Sequence, residues 1–306
     1  MTGFLPRREL GRTGFKATAL GIGDLADRDL KLEQCVATLH RAMDAGLNVI
    51  DTAPGYEDGY SEQIVGAALR ERRDGIFLID KIDYLDKPVA PQVEQSLRRL
   101  HLDEVDLFAF HAVSTMLEWK RIARARGGME QLEKCREAGK CRFRGISSHH
   151  PEVLRAAILS GLCDVVLFPI GPVCDARYVH EILPLAREHG IGTVCFKTFG
   201  AGKLLGDTKG YNQPLKEHPP GENPNGEPVL PHLSVQECVR YTLTRDPDVA
   251  LLGMSDPAEQ DAAFAAARDF QPLNAAELEE IERRGRESIE GKGHCWWDPQ
   301  EEPATI

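Results

Sequence analysis

Eight short apolar runs, each followed by a segment of helical period, constrain this chain more than any other feature. They are TALGIG (18–23), NVID (48–51), IFLIDK (76–81), VDLFAFH (105–111), FRGISS (143–148), DVVLFPI (164–170), GTVCFK (192–197) and VALLGMS (249–255). Continuous apolar runs of this length suit strands buried on both faces. Between them lie segments such as LEQCVATLHRAMDAG, where Leu32, Cys35, Val36, Leu39 and Met43 recur at helical spacing and Gly46 marks a stop. The other seven are SEQIVGAALRER, PQVEQSLRRL, MEQLEKCREAG, PEVLRAAILSG, VHEILPLAREHG, VQECVRYTLTR and AEQDAAFAAARDF, and a charged helix, AAELEEIERRGRESIE, closes the series. Strict alternation implies parallel strands joined by right-handed crossovers. Eight such units favour a closed (β/α)8 TIM barrel over an open sheet. No GxGxxG follows the first run, which weakens the open dinucleotide-binding alternative.

One barrel accounts for residues 1–306 as a single domain. The opening RRELGRTGFKATALGIGDL has turn residues at Gly11 to Gly14 between β-like runs, which predicts an N-terminal hairpin. Two segments break the alternation. Residues 206–233 form a Pro/Gly/Asn-rich loop after the seventh strand, on the face where barrel active sites lie. Its composition fits either a lid over a cofactor or a disordered insertion. The C-terminal tail, 291–306, carries two adjacent tryptophans.

Composition narrows the class. A net charge of −11, with no basic stretch to offset it, argues against a nucleic-acid or anionic-membrane surface. No apolar run approaches the roughly 20 residues that span a bilayer, and the N-terminus lacks the apolar core of a secretion signal. The eight cysteines are scattered with no CxxC pair, so zinc-ribbon and iron–sulfur spacings are absent. Reduced thiols in a cytoplasmic protein are the simplest reading.

The barrel expectation brings four chemically active residues to one place. Asp51 ends the second strand, Lys81 the third and His111 the fourth, while Tyr56 lies in the loop after the second. Successive parallel strands are neighbours whose C-terminal ends share one mouth. A tyrosine with a reference pKa of about 10 titrates with difficulty at neutral pH. An ammonium beside it favours the phenolate, and a carboxylate fixes that ammonium. A histidine nearby can donate a hydrogen bond to a carbonyl oxygen. Together the four can polarise a carbonyl and protonate the alkoxide it becomes. The hydride must come from a cofactor.

NVIDTAPGYEDGYSE, the strand-end lysine, VDLFAFHA and FRGISS resemble the aldo-keto reductase superfamily in order and spacing. So do the opening RRELGRTGFKATALGIG and the late LLGMSDPAEQ, so the similarity runs from about residue 7 to about residue 270. The resemblance implies a (β/α)8 fold, NAD(P)H-dependent carbonyl reduction and a catalytic tetrad of Asp51, Tyr56, Lys81 and His111, with Tyr56 as general acid. It places the nicotinamide carboxamide on Ser147 and Ser148, the second departing from the family's asparagine. The family's strand-six glutamine matches Leu167, losing an amide hydrogen bond. Phe196 would stack on the nicotinamide. Thr198, Phe199, Gly200 and Gly202 would wrap the pyrophosphate through backbone N–H groups, assisted by Lys203. Gly253, Met254 and Ser255 would meet the adenosine phosphate end. Glu259 matches the arginine that many NADPH-using members direct at the 2′-phosphate, which tilts the cofactor toward NADH; a slip of one residue would put Gln260 there.

Trp296 and Trp297 are candidate substrate walls, since the family's C-terminal segment often folds over the mouth. Trp119 and Tyr60 are similar candidates, read as loop residues near it. The substrate class is a small molecule bearing an aldehyde, ketone or sugar carbonyl, or the corresponding alcohol. Two other functions are compatible with the fold: a metal-dependent sugar isomerase or lyase using Asp51, His111 and His149 or His150, and a cofactor-binding regulatory subunit. The lysine beside Asp51 counts against a metal.

Overall fold

The computed structural model describes residues 3–5, 7–23, 28–211, 213–215 and 229–299. The core of the long loop, 216–228, and the tail end, 300–306, lie outside the described residues, and with them the expected lid.

A two-stranded antiparallel hairpin, β1 (Arg8–Glu9) and β2 (Lys16–Ala17), precedes eight parallel strands: β3 (Leu20–Gly23), β4 (Val49–Asp51), β5 (Phe77–Ile82), β6 (Val105–Phe110), β7 (Cys141–Ser147), β8 (Val165–Pro169), β9 (Gly192–Phe196) and β10 (Val249–Leu252). They close in sequence order, with β10 pairing β3. All eight coincide with the apolar runs of the sequence, and the barrel expectation holds.

The crossover helices are α1 (Leu32–Asp44), α2 (Tyr60–Leu69), α3 (Val89–Leu100), α5 (Gly128–Glu137), α6 (Pro151–Ser160), α7 (Leu183–Glu188), α8 (Val235–Arg245) and α9 (Pro257–Arg268). An extra helix, α4 (Met116–Ala123), lies between β6 and α5, and α10 (Ala275–Ile289) follows the barrel. The sequence reading passed over α4, which is only eight residues long. Thr115 starts it, with a capping box in which Thr115 and Glu118 satisfy each other's end groups. Trp119, expected in a loop, is therefore a buried helix residue at 5% exposure.

Two separate cores explain where a site can form. Leu20, Ile22, Ile50 and Leu78 point outward under the helices, while Val49, Phe77, Leu107, Val165, Val194 and Val249 fill the barrel interior. Leu10 from the hairpin joins that interior cluster and seals the end of the barrel where the strands begin. Gly192 accommodates it, because a Cβ there would stand 2.9 Å from the Leu10 side chain. With one end plugged, the open mouth is at the strands' C-terminal ends.

Candidate active site

Lys81 and Asp51 meet inside that mouth. The Lys81 ammonium donates to both Asp51 carboxylate oxygens at 2.6 Å and to the Thr52 carbonyl at 2.8 Å. Both side chains are buried, at 3% and 2% exposure. Burial pushes the Asp51 carboxyl up, and the charge and hydrogen bonds of Lys81 oppose that push. Lys81 Nζ also stands 4.6 Å from the centroid of the Tyr56 ring. The His111 ring meets Tyr56 edge-on, with centroids 5.7 Å apart. The acid, lysine, tyrosine and histidine predicted from four separate segments therefore occupy one small volume.

The loop that carries Tyr56 is under backbone strain. Glu57, Asp58 and Gly59 all have positive φ, at 48°, 51° and 83°. Only glycine adopts that region freely, so the two acidic residues must be held there. Arg28 does so, bonding the Glu57 carbonyl and the Asp58 carboxylate. Tyr60, expected near the mouth as a loop residue, is the first residue of α2, and its hydroxyl donates to the Leu30 carbonyl at 3.1 Å.

Two carboxylates next to the lysine were not singled out from the sequence. Asp83 lies two residues beyond Lys81, and its Oδ1 is 2.7 Å from His111 Nδ1. Burial works against the Asp83 carboxylate, but the hydrogen bond and charge of His111, the Lys81 ammonium and the Gly55 N–H hold it below the ordinary carboxylate range. The two-residue period of a strand, which puts Lys81 and Asp83 on one side, was the available signal. Asp80 points the other way. It is fully buried, its Oδ1 accepts from the Lys81 N–H at 2.7 Å, and its Oδ2 has no partner. Burial, reinforced by nearby Glu62, raises its carboxyl well above the usual range.

The residues expected at a cofactor are divided in their commitments. Ser147 Oγ accepts from the Ala112 N–H at 2.8 Å and keeps its own hydroxyl hydrogen. Ser148 Oγ donates to the Val113 carbonyl at 2.6 Å and accepts from the His150 N–H, so it holds the chain rather than facing the mouth. Phe196 is half-buried at the end of β9, with the His149 ring tilted against it at 5.3 Å. In the loop that follows, Thr198 is buried with its hydroxyl unpartnered, and Phe199 packs on the core. The Gly200 and Gly202 N–H groups donate to the Lys197 and Phe199 carbonyls.

Lys203 departs furthest from expectation. Its ammonium is buried and donates to the Gly293 and His294 carbonyls of the tail at 3.0 and 2.8 Å. It also lies 4.9 Å from the Trp296 ring and 5.5 Å from the Trp297 ring. Lys292 returns the contact, donating to the Lys203 carbonyl at 2.9 Å. The tail is thus tied to the loop after β9. Trp297 is completely buried and its carbonyl accepts from His149 Nδ1 at 3.0 Å. Burial pulls His149 down to about 4, which keeps the ring neutral near pH 7. Trp296 remains 38% exposed, packed between Tyr211 and Gly210.

At the far end, Met254 is buried, leaving only its backbone to meet a ligand. Gly253 is exposed and Ser255 half-buried. Glu259 sits in the first turn of α9 and accepts from the Ser255 N–H at 2.6 Å. Asp256 caps the same helix, taking the Ala258 and Glu259 N–H groups. Gln260 is buried and donates to the Thr38 carbonyl at 2.8 Å, which removes the alternative that Gln260, not Glu259, faces the helix end.

A closed parallel barrel thus carries an Asp–Tyr–Lys–His cluster at its mouth. The sequence profile of the Aldo/keto reductase family matches residues 18–285, and the chain belongs to that family. It is 29% identical over 219 residues to the NADH-specific methylglyoxal reductase of Escherichia coli (strain K12), covering 64% of this chain and 66% of that protein. The match thus spans just under two-thirds of that relative's length. With L-galactose dehydrogenase of Arabidopsis thaliana it shares 24% identity over 311 residues, 90% of this chain and 92% of the other. Among solved structures, the holo form of an aldo-keto reductase from Bacillus halodurans matches with a TM-score of 0.71 at 24% identity, covering 93% of this chain and 96% of that one. This last likeness bears on the fold alone.

Proposed function

We propose that this protein reduces the carbonyl of a small aldehyde, ketone or sugar to an alcohol, or runs the reverse oxidation, with Tyr56 as the group that gives and takes the proton. The observation that carries this reading is the Lys81 ammonium, held by Asp51 beside the Tyr56 ring. When bound, NAD(P)H supplies the hydride. Tyr56 delivers its hydroxyl proton to the carbonyl oxygen as charge builds there. Lys81 stabilises the phenolate left behind, and Asp51 keeps Lys81 charged and in place. The half-buried Phe196 ring, the free Ser147 hydroxyl hydrogen and the unpartnered Thr198 hydroxyl suit a nicotinamide cofactor along β7 and β9. The two relatives named for methylglyoxal and L-galactose both act on small carbonyl or polyol compounds, in keeping with this substrate class.

The cofactor choice tilts toward NADH. Asp256 and Glu259 put two carboxyl groups at the start of α9, where a 2′-phosphate would meet like charge. A cytoplasmic setting fits eight free cysteines. A metal-dependent isomerase gains no support, because among the described residues no group of three or more His, Cys, Asp or Glu could hold an ion.

Titrating NADH and NADPH separately into the protein, with intrinsic tryptophan fluorescence as readout, tests this reading. Saturable quenching with tighter NADH binding is expected, and Glu259→Arg should shift the preference toward NADPH. Absence of binding by either below millimolar concentration would overturn it.

A further inference from the structure

We propose that Asp83 is a positioning residue for the reaction, fixing which nitrogen of His111 faces the substrate and how far His111 stands from Tyr56. The proposal rests on the tetrad reading above and adds a fifth residue to it.

Asp83 lies between the His111 ring and the loop that carries Tyr56. Its Oδ1 meets His111 Nδ1 at 2.7 Å. The N–H of Gly55, the residue before Tyr56, also favours the charged form of this carboxylate. A Cβ on Gly55 would lie 2.8 Å from Asp83 Oδ2, so the loop approaches the carboxylate as closely as glycine allows. One carboxylate at the end of β5 therefore holds both the loop after β4 and the residue after β6.

The charge state of Asp83 dictates the histidine tautomer. An ionised carboxylate only accepts hydrogen bonds, so His111 Nδ1 must carry a hydrogen. In the neutral ring Nε2 is then a lone pair, suited to accept a hydrogen bond from an alcohol. Donation from Nε2 to a carbonyl oxygen requires the doubly protonated ring, whose charge Asp83 would balance at hydrogen-bond distance. Asp83 thus fixes what Nε2 offers in either charge state of the ring without touching the substrate. The titratable groups around His111 are Asp83 just after β5, Asp51 from β4, Tyr56 from its loop, and His149 after β7, with Lys81 of β5 beside Asp51 and Tyr56.

Nitrogen-15 NMR of His111 tests the inference without turnover. The expected result for the wild-type protein is a ring that carries its hydrogen at Nδ1, with that preference lost in Asp83→Ala. A neutral ring protonated at Nε2 would overturn the proposal. The isosteric Asp83→Asn gives the kinetic arm. It should lower kcat by at least about tenfold, with little change in cofactor affinity, and alter the pH profile of turnover. Asp83→Glu should recover part of the loss. An unchanged profile and kcat in Asp83→Asn would contradict the proposal. Failure of the underlying tetrad reading is distinguishable, since Tyr56→Phe would then turn over like the wild type whatever the NMR result.

Discussion

Lys81 reaches both oxygens of Asp51 at 2.6 Å, and the two side chains are 3% and 2% exposed. A buried pair of this kind is costly to assemble and costlier to break, because removing one partner strands the other charge. Lys81→Met is expected to destabilise the protein by about 3–5 kcal/mol and to abolish turnover. Adding Asp51→Asn should restore at least about 1 kcal/mol of that stability without restoring activity. Denaturant unfolding of the two single variants and the double variant checks the coupling. Strict additivity would show that the pair is not energetically linked.

Asp80 should make stability depend on pH. Its carboxyl titrates higher in the folded protein than in the unfolded chain, because burial and Glu62 disfavour the charged form. The sign follows from linkage: the folded state binds the proton more tightly. Stability from Asp80 is therefore fully present below the unfolded value of about 4 and declines as pH rises toward the folded value. Asp80→Asn keeps an acceptor for the Lys81 N–H and removes the titration. The variant should match the wild type near pH 4 and exceed it at pH 8. Denaturant midpoints across that range are the measurement, and parallel curves would exclude this role.

Trp297 and Trp296 should behave differently despite being adjacent. Trp297 is fully buried beneath the tail, whereas Trp296 is 38% exposed. Trp297→Ala is expected to cost about 3–5 kcal/mol wherever the tail's docking is measured, as buried Trp→Ala changes do. Trp296→Ala should cost much less. Thermal unfolding of both variants decides it. Equal losses would mean that the packing against Lys203 and Gly200 is not what holds the tail.

Gly55 offers a steric probe of the Asp83 contact. Its φ of −76° suits any residue, so Gly55→Ala imposes no backbone strain. The added methyl would press on Asp83 Oδ2 from 2.8 Å. Turnover should fall by about tenfold while cofactor affinity stays unchanged. Steady-state kinetics with a cofactor titration would check this, and unaltered kcat would show that the loop relaxes freely.

The barrel and the meeting of Asp51, Lys81 and His111 at its mouth were legible because both follow from strict periodicity, whereas Tyr56 stood out only through the resemblance of its loop. Eight apolar runs placed the strands, and the last residue of each run placed Asp51, Lys81 and His111. Asp83 escaped notice because the apolar run ends at Lys81, so the next same-face position reads as loop. The partners of the expected cofactor residues were hidden for a different reason. Gly200, Gly202, Ser148 and Lys203 have the right types at the right spacing, yet their hydrogen bonds go to Lys197, Phe199, Val113 and the tail. Partners so distant in sequence leave no local pattern to read. The burial of Trp297 is the same lesson, since its tail contacts lie about a hundred residues or more upstream.

The most direct measurement is the reduction rate of Tyr56→Phe with a small aldehyde, alongside a fluorescence titration of its cofactor affinity. Phenylalanine keeps the ring beside Lys81 and His111 but removes the proton. The expected result is a rate lowered by at least about a hundredfold with cofactor binding unchanged. A rate within a few-fold of the wild type would contradict the assignment of Tyr56 as the proton donor.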